Sequence, residues 1–286
     1  MAEMKKYRFS GTRKMVGIFT MNQIEALIDI PSMNIKVGDL GGWIASEKNL
    51  SHEGTCWVSK GAVVLEDAVV SEDALVMKDA VISGKAVVFG NSVITGETKV
   101  FDNASVENSK INAKALIQGS ARIINSTVGG NTKVSEHACI SDSRVITENG
   151  IICGSVSISN SKVAGEDLEI LDAVNIIDST IGFTKHSNKK LLLYGNATIQ
   201  NATINSNRDI VIGENASILD NANISGHEIS IKGMAVVKGY AHIGLKTSLC
   251  DLVVIDGGEK KPKGQQRHYS LFAETISGDA YVNLSK

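Results

Sequence analysis

From Val58 a branched aliphatic residue returns every six positions, at Val64, Val70, Val76, Ile82, Val88, Ile94, Val100 and Val106. Two residues before each stands a small one: Cys56, Ala62, Ala68, Ala74, Ala80, Ala86, Ser92, Thr98 and Ala104. A period of six matches neither the 3.6 of an α-helix nor the 2 of a single strand. It is met by a coil of short strands joined by turns, with two side chains of each hexad pointing inward. A repeat of this kind decides the whole architecture, because no single hexad can bury its own apolar face.

Beyond Val106 one step in three shortens to five. The short pieces end at Ile111, Val128, Val145, Val163, Ile181 and Ile204. Each carries a polar tag: Asn108-Ser109, Asn125-Ser126, Asp142-Ser143, Asn160-Ser161, Asp178-Ser179 and Asn201-Ala202. The first tags lie 17, 17, 18 and 18 residues apart, so one coil is three pieces and its cross-section is a triangle. Three rows of inward positions follow, from Val58 to Ile243, from Val64 to Leu249 and from Val70 to Ile255. Eleven coils give 33 such positions, and every one is Val, Ile or Leu. The expected fold class is all-β, a parallel β-helix of about eleven coils with backbone bonds running from coil to coil.

Composition narrows the function classes. Lys plus Arg is 29 and Asp plus Glu is 31, a net charge of −2 that argues against a nucleic-acid binder. Aromatics are 5% and prolines two, consistent with a core of small aliphatic side chains. No apolar run has the length of a membrane span or a signal peptide, so a cytoplasmic protein is expected. The cysteines, Cys56, Cys139, Cys153 and Cys250, show no CxxC spacing. Reduced, buried thiols are expected, and no metal site. The Asn-x-Ser/Thr triplets at Asn49, Asn103, Asn125, Asn196, Asn201 and Asn215 read as by-products of the repeat.

Hexads such as Ile212-Gly213-Glu214-Asn215-Ala216-Ser217 resemble the hexapeptide repeat of the left-handed β-helix family, which includes bacterial acyltransferases using acyl-CoA or acyl carrier protein. Upstream, Lys6-Tyr7-Arg8-Phe9-Ser10, Val37-Gly38-Asp39-Leu40-Gly41-Gly42-Trp43-Ile44, Asn49-Leu50-Ser51, Gly54 and Cys56-Trp57-Val58 resemble the YdcK-like proteins. These are enterobacterial and prophage-associated hexapeptide proteins, grouped by similarity with acetyltransferases. The resemblance implies a left-handed coil, acetyl-CoA as co-substrate, and a homotrimer with the donor in a groove between subunits. It also implies a histidine as general base on the acceptor.

The ends break the period. Residues 1–55 are expected to form an N-terminal β cap, with strands at Tyr7–Ser10 and Gly17–Asp29, over a β-helix of residues 56–255. Trp43 and Trp57 would close the first coil, with ligand stacking the other reading. Residues 256–286 read as an exposed basic loop, with Lys260, Lys261, Lys263, Arg267 and His268, followed by a terminal hairpin turning at Ser277-Gly278-Asp279. The hexad spacing of Ile276, Ala280 and Val282 allows the alternative that the chain rejoins the coil.

One irregularity carries titratable residues. The step from the first row to the second stretches to twelve between Ile181 and Leu193, eight between Ile204 and Ile212, and seven between Ile224 and Ile231. All three excursions leave from one corner. They bring Lys185, His186, Lys189, Lys190, Arg208 and His227 to one edge. His186 and His227 are the candidate catalytic bases; Lys185, Lys189, Lys190 and Arg208 are the candidate phosphate-binding residues. The competing reading is of ordinary solvated corner loops. His137 and His242 fall on outward positions, for solvent or packing. The Asn/Asp-Ser tags read either as a sugar-binding ladder or as turn residues bonding up the stack. Beside acyl transfer stand two alternatives: a non-enzymatic assembly scaffold, and a trimeric binder of a small anionic, nucleotide-like ligand.

Overall fold

The computed structural model describes residues 5–183, 190–206, 209–226, 228–244, 246–259, 269–271, 274–278 and 280–284. It is a parallel β-solenoid of about eleven turns. The chain divides into two compact units, Met1–His137 and Ala138–Lys286. All 33 inward aliphatic positions read from the repeat are fully buried. Each such side chain contributes about 1.5–3 kcal/mol by leaving water.

The first unit opens with an antiparallel hairpin, Tyr7–Val16 paired to Phe19–Ala26. The strand Leu40–Ile44 pairs antiparallel to Phe19–Ala26 on one side and parallel to Val63–Val64 on the other. That strand converts hairpin into coil. Met21 packs with Val63 and Leu65, and Val16, Phe19, Trp43, Ala45 and Val81 close around them. Trp57 is buried beneath Gly41, where a Cβ would lie 2.7 Å from the indole. Trp43 is half-buried, with Lys14 Nζ 4.4 Å above its ring. Lys6 is buried too, donating from Nζ to the carbonyls of Glu53 and Gly54, 3.3 Å each, and to Cys56 Sγ at 3.1 Å. Burial pushes the Cys56 thiol up despite the adjacent ammonium. Tyr7 stacks on His52 at 4.3 Å and donates to the carbonyl of Leu50 at 2.8 Å. Burial, and secondarily Glu47, raises its phenol well above the ordinary tyrosine range.

Above this cap run three parallel ladders of short strands, in register from coil to coil. Val58 sits over Val76, Val64 over Ile82 and Val70 over Val88. The second unit continues the same three-sided pattern. Three of its last described strands correct an expectation. The terminal hairpin expected over 269–284 does not form. Tyr269–Leu271, Thr275–Ile276 and Ala280–Asn283 each pair parallel to a strand of the preceding coil, so the chain rejoins the solenoid. Ser277-Gly278 looks like a hairpin turn, yet Gly278 takes a corner position and donates its N–H to Asp251 Oδ2 at 3.1 Å. Of the expected exposed loop, 256–268, Asp256 instead closes the strand Val253–Asp256, and residues 260–268 lie outside the described residues.

Corners set the register. Between the second and third ladders of the first unit, the corner residues are Glu66, Gly84, Asp102, Gly119 and Glu136, all at positive φ. In the second unit they are Gly154, Asp172, Gly195, Glu214, Gly233, Asp251 and Gly278. Acid and glycine alternate within each unit. The reason is mutual. A Cβ at Gly154 would lie 2.2 Å from the carbonyl oxygen of Asp172, so every second coil requires glycine. The acid, itself in the left-handed region, accepts an N–H from the glycine of the next coil: Gly119 to Asp102 at 2.9 Å, Gly195 to Asp172 at 2.9 Å, Gly233 to Glu214 at 3.0 Å. That bond offsets part of the roughly 1–2 kcal/mol that positive φ costs an L-residue.

The serine tags work similarly at another corner. Ser126 N–H donates to Ser109 Oγ at 2.9 Å, and Ser109 Oγ donates to its own turn, to the carbonyl of Glu107. Ser161, Ser179 and Ala202 donate from their N–H groups to Ser143, Ser161 and Ser179 in turn. Every one of these hydroxyls also donates to a carbonyl two residues back. The tags therefore bind backbone up the stack, the structural reading of the two weighed above.

Candidate functional site

The excursions are framed by strands of the second unit. On the outgoing side Thr180–Phe183, Thr203–Ser206 and Asn223–Gly226 stack in unbroken register. On the returning side Lys190–Leu193, Ile210–Ile212 and Ile229–Ile231 do the same. The roots of the three excursions therefore stand above one another at one corner.

Of the candidate residues, Lys185, His186, Lys189, Arg208 and His227 lie outside the described residues. Lys190 is described, at the foot of the first returning strand. Its N–H donates to Asp209 Oδ1 at 3.0 Å, and its ammonium sits 2.6 Å from Glu169 Oε2. A phosphate approaching Lys190 would have to compete with Glu169. The described roots also carry Asp209 and Glu228, and the step is already seven in the two preceding coils, Val145 to Ile152 and Val163 to Ile170, which add Glu148, Glu166 and Asp167 to the same corner. Asn149 Nδ2 donates to Asp167 Oδ1 at 3.0 Å, extending this polar corner one coil earlier.

Beside this corner lies a pairing that the sequence reading did not single out. Ser225 Oγ and His242 Nε2 are 3.1 Å apart. Both are half-buried on the outer face of the ladder from which the excursions leave. Asn223 stands in register with His242, and Asn205 with Ser225. Asn223 Oδ1 is buried with no hydrogen-bond partner. Among the described residues, a Cβ at Gly182, one coil before Asn205, would have only Asn205 Oδ1 within 4 Å, at 3.7 Å. The sequence signal for this pair is diagonal. Asn223 is the true register partner of His242, and Ser225 lies two residues past it on the same face. Without the lengthened coil being placed first, nothing in the chain joins Ser225 to His242.

On another face, burial beside Glu214, to which it is hydrogen-bonded, holds the Tyr194 phenol above its ordinary range. All four cysteines are free. Cys56 alone is buried, whereas Cys139, Cys153 and Cys250 are half-buried, which corrects the expectation of four buried thiols. Their strand positions explain it: Cys56 takes an inward slot, while Cys139 and Cys153 flank the inward residues Ile140 and Ile152 and so face out. Among the described residues there is no group of His, Cys, Asp and Glu that could hold a metal ion, and no helix is long and apolar enough to cross a membrane.

Fold and corner together define a parallel β-solenoid consistent with a hexapeptide-repeat β-helix, with insertions between strands that stack at one corner. Compared with known proteins, the chain matches no family model and no curated protein.

Proposed function

We propose that this chain is an acyltransferase of the left-handed, hexapeptide-repeat kind, moving an acyl group from a thioester donor such as acetyl-CoA to a hydroxyl or amine. The solenoid fold is compatible with that class, and the YdcK-like resemblance of residues 37–44 and 56–58 supports it. The observation that carries the reading is the in-register stacking, at one corner, of the strands from which the three insertions leave, next to the half-buried imidazole of His242. In this reading Lys185, Lys189, Lys190 and Arg208 meet the phosphates of the donor, and His186 or His227 takes the proton of the acceptor. The working assembly is a cytoplasmic homotrimer, with the groove between neighbours completed by the insertions.

Native mass spectrometry of the whole chain with and without acetyl-CoA tests this. A trimer that takes up one acetyl-CoA per interface supports it. A protein that leaves acetyl-CoA unbound at concentrations well above those of a cell overturns it. His186→Ala and His227→Ala, measured in the same way, should retain the donor, and at least one should lose turnover.

A second reading is a non-enzymatic assembly scaffold. It is favoured by one observation: the Lys190 ammonium and the serine tags are all engaged in holding coil to coil. A trimer indifferent to acetyl-CoA is its signature. A trimer that binds a free nucleotide instead would point to the third reading, an anionic-ligand binder.

A further inference from the structure

We propose that Ser225 and His242 form a nucleophile–base pair, and that the acyl group in transit is carried as an ester on Ser225 Oγ. This rests on the acyl-transfer reading and deepens it, replacing a single direct transfer with His186 or His227 as base by two half-reactions in which His242 is the base of both.

With the imidazole proton of His242 on Nδ1, the geometry is that of an activated hydroxyl. A separation of 3.1 Å places Ser225 Oγ within hydrogen-bond reach of a nitrogen that can take its proton. Rigid backbone holds both groups. Asn223–Gly226 and Ala241–Ile243 are neighbouring strands of one ladder, and the buried Ile224 and Ile243 pin them from the inside. The pair is half-buried, so a thioester can reach it while part of the surrounding water is excluded.

Two neighbours fit the same use. Asn205 flanks Ser225 on the preceding coil, and its carboxamide carries N–H donors suited to a developing oxyanion. Asn223 Oδ1, beside His242, is a buried acceptor with no partner. Such a group costs about 1–3 kcal/mol and calls for an explanation.

The steps balance without any further reactant. Ser225 Oγ attacks the thioester carbonyl carbon, and His242 Nε2 accepts the hydroxyl proton. The carbon–sulfur bond breaks, and the imidazolium returns the proton to the leaving thiolate. The acceptor hydroxyl or amine then attacks the Ser225 ester. His242 takes the acceptor proton and delivers it to Ser225 Oγ as the ester bond breaks.

The test is covalent labelling of the intact chain by two probes, acetyl-CoA and p-nitrophenyl acetate, quenched in acid and read by intact mass and peptide mapping. One acetyl group on the peptide containing Ser225 is expected. Ser225→Ala should abolish it, and His242→Asn should slow it by about a hundredfold or more. Both variants should keep the wild-type unfolding midpoint, which separates lost chemistry from lost fold. Absence of label from both probes, or label that persists in Ser225→Ala, overturns the inference. The two readings fail separately. If Ser225→Ala binds acetyl-CoA and transfers acetyl at the wild-type rate, the ester is wrong and acyl transfer stands. If p-nitrophenyl acetate labels Ser225 while acetyl-CoA does not bind, the pair stands and the donor assignment falls.

Discussion

Two glycines a few coils apart show how differently the same residue can be constrained. Gly154 has φ +101°, and a Cβ there would meet the carbonyl oxygen and N of Asp172 at 2.2 and 2.7 Å. Neither atom can move without breaking the corner. Gly182 lies on a strand with ordinary φ, and among the described residues a Cβ there would meet nothing closer than 3.7 Å. Gly154→Ala should therefore destabilise by about 2–4 kcal/mol, from strained φ and overpacking together. Gly182→Ala should leave stability unchanged or raise it by up to about 1 kcal/mol, because Ala lowers the entropy of the unfolded chain. Urea unfolding of the two variants checks this, and equal midpoints would show that corner sterics do not set the register. The residue scale is also where the sequence was least legible. Inward Val and Ile positions are constrained by every coil, so six residues suffice to reveal them. The acid–glycine corner repeats only every second coil, and within one hexad Glu66 or Gly84 is just another turn residue. Ser225 and His242 were hidden for a related reason: their contact is diagonal across a coil whose length the insertions have changed.

At the scale of one element, a carboxylate of the preceding coil, Asp256, ties down the last described strand, Ala280–Asn283. Asp256 Oδ1 accepts from Gly258 N–H at 2.9 Å, and Oδ2 accepts from Lys238 Nζ at 3.2 Å and Tyr281 O–H at 3.0 Å. These bonds, that of Gly258 first, hold its carboxyl below the usual aspartate range. A depressed folded pKa stabilises above the unfolded value of about 3.9, and the stabilisation is lost as pH falls through the folded value. Lowering pH below about 4 should therefore loosen Ala280–Asn283 first. Hydrogen exchange, corrected for its intrinsic pH dependence, should show protection falling at 280–284 before it falls at Val236–Lys238. Asp256→Asn should show the same pattern at neutral pH. Uniform loss across both strands would mean that Asp256 has no local role. The hexad spacing of Ile276, Ala280 and Val282 made this coil legible as an alternative, while Ser277-Gly278-Asp279 suggested a hairpin turn. What decided between them is that Gly278 fills the corner slot above Asp251, a constraint carried by a residue of the preceding coil.

For the molecule as a whole, the corner alternation makes coils non-interchangeable, although each buries the same aliphatic pattern. In a repeat protein stability is close to a sum over units and their interfaces, so removing two coils should cost more than removing one. The first unit predicts the reverse order. Deleting residues 73–90 removes one coil and joins Glu72 to Asn91. It moves Glu66 into the slot that Gly84 fills, where a Cβ would lie 2.6 Å from the N and 2.8 Å from the O of Asp102. It also moves Glu72 into the slot of Gly90, where a Cβ would lie 2.3 Å from Asn108 Oδ1. Deleting residues 73–108 removes two coils and joins Glu72 to Ser109. Glu66 then sits beneath Gly119, which now donates its N–H to Asp102 at 2.9 Å and can donate it to Glu66 instead. Gly61 comes to lie beneath Ala113, the relation Gly96 has now. The shorter chain should unfold cooperatively with the higher midpoint, and the one-coil deletion should unfold earlier or aggregate. Thermal unfolding of the two variants beside the wild type decides it. A one-coil deletion more stable than the two-coil deletion would mean that the aliphatic ladders alone fix the stacking, and that the acid–glycine corners merely follow it.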